Sequence, residues 1–472
     1  MRAALVVLFP ETPESGTPQP QAAPQPEPRR PDAARSGGRR AIYAAIQVAA
    51  VCIGTVVLLL RIAGVPAWDS VYAEDQGVYL FDALAHPWHL IVPYGGYEEF
   101  VPRLVGQLVS YLPLADVAVP FAVAGAGIAA LCALFTYHAM DGWVRSPWLR
   151  ALVGAALILL PLAPIEIADC TVGSPWYVLT ALFFGLLWRP KNRAGMMAAA
   201  LVAFAAASSE ILALIYAPLV LLRVVALPRW REQAVTAGWL AGLVVQVAIV
   251  LESYAQHTQR VIHLAGPVRA LGFYFRNVAL RAFGWRVSLR LVEIAGFNGA
   301  TVIVCVILVA VFGLALVTGS RQVRVFAAVA LIMGFVQTVF AATVVAIGQH
   351  YSYNYESGSR YSTMPIMAMT AAAVVAVDAG LRRKAIAGGG DRIPLVRPSP
   401  WALTAVAALA CVLALGWGSD YRYATERTSP WGYWKPTAEH MLTACEHSTS
   451  GQITGWAWGQ GTITIPCSRL RR

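Results

Sequence analysis

Residues 41–61 read AIYAAIQVAAVCIGTVVLLLR, and no charged side chain occurs in this run before Arg61. About 20 predominantly apolar residues are enough for an α-helix to cross the hydrocarbon core of a bilayer. A helix is the form expected there because it satisfies its backbone hydrogen bonds internally. The run therefore predicts a first transmembrane helix.

Further apolar runs follow along the chain, separated by short polar breaks. Those between residues 175 and 223 are short and closely spaced, so the number of spans depends most on that region. With the first run they predict an all-α polytopic membrane protein with about 11 transmembrane helices. The further runs lie near 114–138, 149–165, 175–188, 195–207, 211–223, 233–252, 299–319, 325–347, 364–380 and 401–418.

The composition agrees with this class of protein. Of the 472 residues, 58% are hydrophobic and 13% are charged, and the mean hydropathy is +0.58. A soluble domain is about 45–50% apolar and about 25% charged, so this excess excludes a soluble enzyme, a disordered hub and a fibrous protein. The 7 cysteines are too few for a small disulfide scaffold. Almost all basic residues are arginine, which codon usage explains, and no nucleic-acid partner is predicted.

The basic residues set the orientation, because cytoplasmic loops carry an excess of lysine and arginine. With the N-terminus in the cytoplasm, the breaks near 145–150, 189–193, 223–231, 321–324 and 382–397 are basic and cytoplasmic. We therefore expect a multi-pass protein of the cell membrane with a cytoplasmic N-terminus and an extracytoplasmic C-terminus. The segments then predicted to lie outside are the loops 62–113, 253–298 and 348–363 and the C-terminal tail.

The chain divides into three parts. Residues 1–40 are predicted to be a disordered cytoplasmic tail, because 10–36 are rich in Pro, Ala, Glu and Gln. Residues 41–419 form the membrane domain. Residues 420–472 contain no span and show alternating apolar positions, which predicts a small β-rich outer appendage. Cys445 and Cys467 both lie in this appendage on the oxidising side, so a disulfide between them is predicted.

The first outer loop is rich in acids and begins with Asp69, Glu74 and Asp75. Its apolar spacing predicts an in-plane helix over 71–84 and a second amphipathic segment over 97–112. A carboxylate at the membrane rim beside apolar surface has a raised pKa and can serve as a general base. The alternative is that these acids only solvate the loop.

The later outer loops carry arginines, which bind phosphate well through the planar guanidinium group. Arg276, Arg286 and Arg290 belong to the loop 253–298, and Arg360 precedes the run 364–380. Ordinary anionic lipid is the alternative ligand for the loop arginines, and an interfacial aromatic belt is the alternative role for the tyrosines near Arg360. Other acids lie at the outer ends of closely spaced spans, where acids are costly and often functional. These are Glu166, Asp169 and Glu210.

The order of these features resembles the GT-C superfamily of integral-membrane glycosyltransferases. The local resemblance is carried by Glu74-Asp75, by Pro93-Tyr94-Gly95-Gly96-Tyr97 and by Val101-Pro102-Arg103-Leu104. In that superfamily an acid of the first outer loop is the base, and arginines of later outer loops hold the lipid phosphate. The resemblance implies Asp75 as first choice for the base, then Glu74 and then Asp69. It implies that Arg360, with Arg276, Arg286 and Arg290, binds the donor phosphate.

The resemblance implies transfer of a hexose or pentose from a polyprenyl-phosphate donor to a glycan or lipid acceptor of the cell envelope, on the outer face, in contact with membrane lipids. Some members use a divalent metal, but the sequence carries no metal-binding motif, and no cofactor or metal ligand is predicted. Two alternatives stay open. One is a transporter or flippase of a lipid-linked saccharide, and the other is a non-catalytic envelope assembly protein.

Overall fold

The computed structural model describes residues 6–10, 32–94, 96–161, 167–255, 266–344, 359–387, 411, 414–416, 418–424, 433–457 and 461–470. The helices are α1 Asp32–Leu59, α2 Phe81–Ala85, α3 Phe100–Val109, α4 Ala118–Ala139, α5 Pro147–Ile158, α6 Ser174–Leu187, α7 Arg193–Ser209, α8 Ala217–Ala226, α9 Ala234–Ala255, α10 Pro267–Phe273, α11 Trp285–Thr318, α12 Arg321–Val344, α13 Thr363–Ala387, α14 Trp434–His447 and α15 Cys467–Leu470. The strands are β1 Ile62–Ala63, β2 Tyr423–Ala424, β3 Gln452–Ala457 and β4 Gly461–Pro466. β1 pairs with β2 in parallel, and β3 pairs with β4 in antiparallel orientation.

The chain is a helical membrane protein. Among the described residues, 6 helices are long and apolar enough to cross a membrane. Shorter apolar helices occupy the region of the closely spaced runs, so the predicted count of eleven spans stays a prediction, and most of the run 401–418 lies outside the described residues. The long helices cover Ala41–Leu59, Ala118–Gly142, Trp230–Ala255, Trp285–Ala310, Arg321–Thr343 and Arg360–Leu381.

Small residues allow α7 and α9 to pack backbone against backbone. A Cβ atom on Gly238 would lie 2.1 Å from the carbonyl oxygen of Ala200, and one on Gly242 would lie 2.7 Å from that of Phe204. Helices inside a bilayer have no hydrophobic driving force for association, so van der Waals contact at such short distances stabilises the pair. One consequence is that Ser209, at the end of α7, and Gln246, within α9, hold the first loop, as described below.

The two ends of the bundle differ. We call the end that carries residues 62–116 and the C-terminal tail the loop side, and the other end the opposite side. On the loop side, the predicted helix over 71–84 is a π-helical turn, Asp75–Leu80, followed by α2, and its residues Val78 to Phe81 are buried rather than lying along a membrane surface. The second predicted segment, 97–112, contains α3.

The C-terminal tail covers this first loop, which explains the burial. Trp434 and Met441 of α14 join Leu80 and Phe81 in one hydrophobic cluster. The indole Nε1 of Trp434 also donates a hydrogen bond to the carbonyl oxygen of Leu114 at 2.6 Å. The first loop and the tail therefore form one layer on the loop side.

The tail is not as rich in strand as predicted, because a 14-residue helix, α14, precedes the β3–β4 hairpin. Trp434, Ala438, Met441 and Cys445 are its buried residues and lie on one face at helical spacing. The structure contains the disulfide between Cys445 and Cys467, which joins α14 to α15 across the hairpin.

Part of the predicted N-terminal tail is folded. Helix α1 begins at Asp32, before the apolar run, and Leu8 and Phe9 are buried in the core of the opposite side. Phe9 is large and apolar, so its burial removes it from water at a gain in free energy of roughly 1.5–3 kcal/mol. Residues 11–31 of the predicted tail lie outside the described residues.

An apolar cavity of ≈ 830 Å³ lies between α1, α4 and α5. Ile46, Ala133 and Ala151 contribute to its lining, and Trp148 and Tyr421 are among its other residues. Only 11% of the candidate span in α1 is buried inside the protein. The cavity therefore lies beside a helix that contacts membrane lipid, and its lining is suited to hydrocarbon.

The disulfide generates the first prediction. Replacing both Cys445 and Cys467 with serine should lower the free energy of unfolding of the tail by about 3 kcal/mol, because the bridge closes a segment of sequence separation 22. Limited proteolysis should then cut residues 433–470 faster than in the native protein. The matched control replaces Cys52 and Cys411, which are free and exposed. Equal cutting of both variants would contradict the stabilising role of the bridge.

Candidate functional site

The candidate site begins where the first loop enters the helix bundle. Glu98 donates its backbone N–H to the side-chain oxygen of Gln246 at 3.1 Å, and the side-chain nitrogen of Gln246 donates to the carbonyl of Glu98 at 2.8 Å. Gln246 is 1% exposed and belongs to α9. The backbone N–H of Val101 donates to Ser209 Oγ, at the end of α7, at 3.0 Å. These bonds fix the chain on both sides of Glu99.

Two tyrosine hydroxyls hold the carboxylate of Glu99. Tyr79 donates a short hydrogen bond to its Oε2, and Tyr97 donates to its Oε1 at 3.1 Å. Burial raises the pKa of Glu99 above its ordinary value, and the nearby Glu74 raises this pKa further, while the tyrosine bonds lower it. A buried carboxylate with a raised pKa and a fixed orientation has the properties of a general base.

Glu210 is the second buried acid of the site. It lies between α7 and the helical segment Ile211–Tyr216, and its Oε1 accepts a hydrogen bond from the backbone N–H of Leu212 at 3.2 Å. Burial raises the pKa of Glu210 to about 8, the charge of Glu99 contributes in the same direction, and Arg360 lowers it. Glu210 is therefore close enough to Glu99 and to Arg360 for both charges to influence its pKa, and it is largely protonated at neutral pH.

Arg360 is positioned by its neighbours on the loop side. Its guanidinium lies 5.3 Å from the ring centre of Tyr361, and that ring contacts Trp176 of α6 at 4.8 Å. The hydroxyl of Ser362 donates to the carbonyl of Asn277 at 3.0 Å, which joins this segment to the second long loop. The site thus combines a carboxylate, a protonated acid and a guanidinium within one region.

A buried polar network around Arg103 adjoins the site at Glu98. Arg103 of α3 lies 2.5 Å from Oδ2 of Asp82 and 3.5 Å from Oε1 of Glu98, and all three side chains are buried. The other oxygen of Glu98 accepts the backbone N–H of Val92 at 2.9 Å. Burial raises the pKa of Glu98 to about 8, against the lowering effect of Arg103. The network locks α2, α3 and the turn before Glu99 together.

Asp75, the first choice for the base from the sequence, contacts the start of a helix. It is 1% exposed, and its oxygens accept the backbone N–H groups of Thr171 at 2.8 Å and Val172 at 2.9 Å. These groups open the apolar helical segment Thr171–Leu187, whose first amides carry partial positive charge. This arrangement favours a capping role for Asp75.

The other two acids predicted from the sequence differ in their surroundings. Glu74 is half-buried and close enough to influence the pKa of Glu99, so it belongs to the edge of the site. Asp69 ends a short helical turn, Ala67–Asp69, and is exposed. Among the three candidates, Glu74 therefore has an electrostatic link to the Glu99 carboxylate.

The predicted phosphate-binding arginines of the second long loop have different contacts. The Arg276 guanidinium stacks over the ring of Phe297 at 4.7 Å. Arg290 is exposed and forms an ion pair with Glu293 at 2.8 Å. Arg286 is also exposed, and its backbone N–H is bound by Asp420 at 3.1 Å. The structure thus gives Arg286 and Arg290 surface positions, whereas Arg360 influences Glu210.

No three His, Cys, Asp or Glu side chains within the described ranges are arranged so that they could hold a metal ion. No protein-family model, no curated protein and no solved structure matches the chain. The resemblance to the GT-C superfamily therefore stays a prediction that the sequence features carry.

From the sequence, Glu210 is indicated only as an acid at the outer end of a span, and Glu99 is not predicted as a site residue. Glu99 follows Glu98 and precedes an amphipathic segment, and Glu210 lies between two apolar runs. An acid in such a position is costly near a membrane, and that was the available signal. What a single sequence does not contain is that Glu99 and Glu210 approach one another.

The raised pKa of Glu210 generates a prediction about pH. Because the folded protein holds a proton that the unfolded chain releases near pH 4.5, its stabilising effect is complete below that pH and is lost as the pH rises to about 8. Thermal unfolding in detergent should therefore show that Glu210→Gln flattens the fall in melting temperature between pH 5 and pH 9. Glu439→Gln, in the exposed part of α14, is the control and should leave the slope unchanged. Identical slopes for all three proteins would contradict the raised pKa.

Proposed function

We propose that this protein is an integral-membrane glycosyltransferase that transfers a sugar from a polyprenyl-phosphate donor to an acceptor of the cell envelope. The observation that supports it most is the Glu99 carboxylate, held by Tyr79 and Tyr97, with Glu210 and Arg360 close by. A base and a phosphate-binding cation are the two groups that this reaction requires. The predicted order of spans and loops adds the resemblance to the GT-C superfamily.

In the proposed reaction, Glu99 accepts the proton of an acceptor hydroxyl. The acceptor oxygen then bonds to the anomeric carbon of the donor, and the bond between that carbon and the phosphate oxygen breaks. The electron pair leaves with the polyprenyl phosphate, and Arg360 stabilises the resulting charge. Glu210, largely protonated, adds no negative charge that would repel the phosphate and can donate a hydrogen bond.

Asp75 and Glu74 have supporting roles in this proposal. Asp75 caps the segment Thr171–Leu187 and so fixes Trp176, which contacts Tyr361 beside Arg360. Glu74 raises the pKa of Glu99 and makes it a stronger base. The proposal therefore transfers the role of base from Asp75 to Glu99, because the Tyr79 and Tyr97 hydroxyls and Glu210 surround Glu99.

A pair of substitutions distinguishes the two candidate bases. Glu99→Gln keeps the size of the side chain but removes the proton acceptor, so the rate of sugar transfer should fall by roughly 100-fold or more. Asp75→Asn should keep transfer within about tenfold and lower the free energy of unfolding by about 1 kcal/mol, because it weakens a helix cap. The transferred sugar is identified by comparing the envelope glycans of cells that have the gene with those of cells that lack it. The rate of sugar transfer by each variant is then measured in isolated membranes. Loss of transfer in Asp75→Asn at unchanged stability would return the role of base to Asp75.

A proton-coupled transporter of a lipid-linked saccharide is the second candidate. The observation that favours it is that Glu98 and Glu210, both buried, have pKa values of about 8 and can exchange protons near neutral pH. Protonatable acids next to a membrane-embedded helix are typical of proton-coupled carriers. Protein reconstituted into liposomes separates the two functions, because a transferase forms a new glycosidic bond and a transporter changes only the side on which the labelled saccharide is found.

The proposal requires the loop side to face the cell exterior. A cysteine in place of the exposed Thr449 should then react with a membrane-impermeant maleimide in intact cells. A cysteine in place of the exposed Lys191, on the opposite side, should react only after the membrane is permeabilised. The reverse labelling pattern would place the site in the cytoplasm and exclude an extracytoplasmic acceptor.

A further inference from the structure

The N-terminal residues 6–10 occupy a built pocket on the opposite side of the bundle. Leu8 is 7% exposed and Phe9 is 0% exposed, and both belong to the main hydrophobic cluster. A segment that lies loosely on the protein surface does not bury an aromatic ring completely. This segment contributes to neither the site nor the proposed reaction.

Polar contacts on the same side recognise the segment. The Arg223 guanidinium lies 5.6 Å from the ring centre of Phe9. The N–H groups of this guanidinium donate to the carbonyl oxygens of Leu186 at 2.7 Å, Trp188 at 2.7 Å and Glu232 at 2.8 Å. The edges of the guanidinium are therefore hydrogen-bonded to the protein, and its planar face lies toward the Phe9 ring.

A second arginine binds the backbone of the segment. Arg189 forms an ion pair with the Glu232 carboxylate at 2.7 Å and donates to the carbonyl oxygen of Phe9 at 3.4 Å. The same residues therefore connect the end of α6, the end of α8 and the turn before α9 with the N-terminal segment. The contact is part of a network rather than an isolated hydrophobic insertion.

Gly142 makes room for the segment. A Cβ atom at this position would lie 2.9 Å from the carbonyl oxygen of Pro10 and 3.2 Å from its ring. The side chain of Gln322, at the start of α12, donates to the carbonyl of Gly142 at 3.2 Å. Any larger residue at position 142 would have to push the segment away.

Residues 11–31 connect the segment to α1 in the sequence. Residues 11–31 contain seven prolines. A stretch of that length spans at most about 70 Å when fully extended. Its high proline content is typical of spacers that separate two structured parts.

We propose that residues 6–10 are a latch, a peptide ligand carried in cis that binds the pocket formed by Arg189, Arg223 and Gly142. Its occupancy joins the ends of α6 and α8, the α4–α5 connection and α12 on the opposite side. The pocket accepts an apolar residue followed by an aromatic residue. The aromatic ring stacks on Arg223, and the carbonyl oxygen of the same residue accepts a hydrogen bond from Arg189. The latch is independent of the reaction proposed for the loop side.

Two substitutions empty the pocket in different ways, and thermal unfolding in detergent measures the effect of each on stability. Phe9→Ala removes the anchor, and the melting temperature should fall by about 5 °C. Gly142→Val in the full chain should lower it by a comparable amount, because the new side chain displaces Pro10. Gly127→Val is the matched control, since no atom lies within 4 Å of a Cβ at that position, and it should change the melting temperature by less than about 1 °C.

The two changes should not add, because each empties the same pocket. The double variant Phe9→Ala with Gly142→Val should lose no more than the larger single loss, and a chain that lacks residues 2–10 should be insensitive to Gly142→Val. If the losses add, Gly142 and Phe9 act separately and the latch is excluded. If Phe9→Ala has no effect in the full chain, residues 6–10 are not held in the pocket and the latch is likewise excluded.

Discussion

Two hydrogen bonds between the backbone of Glu98 and the side chain of Gln246 hold the first loop within the helix bundle. Irregular backbone beside membrane helices must find partners inside the protein, because lipid offers none. Gln246, 148 positions further along the chain, supplies one acceptor and one donor, and Ser209 supplies another acceptor. The close packing of α7 and α9 brings these two side chains to the same region. The position of Glu99, the start of α3 and the Arg103 network all depend on this attachment.

The attachment also sets the electrostatics of the site. By drawing Glu98 and Glu99 of the first loop into a region of low polarity, it makes their charged forms costly, and the pKa values of both rise. Burial at the end of α7 raises the pKa of Glu210, and the charge of Glu99 adds to this effect. The result is a region where one acid retains a proton near neutral pH while a neighbouring carboxylate accepts hydrogen bonds from two tyrosines. These groups and Arg360 are the basis of the proposed sugar transfer, in which Glu99 would accept a proton and Arg360 would bind the phosphate.

The parts of the fold that follow from local pattern could be predicted from the sequence. The run 41–61 predicts α1 because apolar length alone decides a span, and the oxidising side expected for the tail predicts the Cys445–Cys467 bridge, which the structure contains. The sequence does not predict helix α14, because the alternating apolar stretch after it indicates strands for the whole tail. The capping contact of Asp75, the approach of Glu99 to Glu210 and the burial of Phe9 depend on residues that are distant in the chain. No spacing rule within one sequence contains those contacts.

The proposed function requires Arg360, close to Glu210, to bind the phosphate of a polyprenyl donor. Equilibrium binding of a short-chain polyprenyl phosphate to the purified full chain tests it most directly, with Arg360→Ala compared with Arg290→Ala. Arg290 is exposed and paired with Glu293, so it controls for the loss of one positive charge on a loop. We expect Arg360→Ala to weaken binding by about tenfold or more, the usual effect of losing a charged hydrogen-bond partner, and Arg290→Ala to leave it within about twofold. Equal affinity of the native protein and Arg360→Ala would contradict the account.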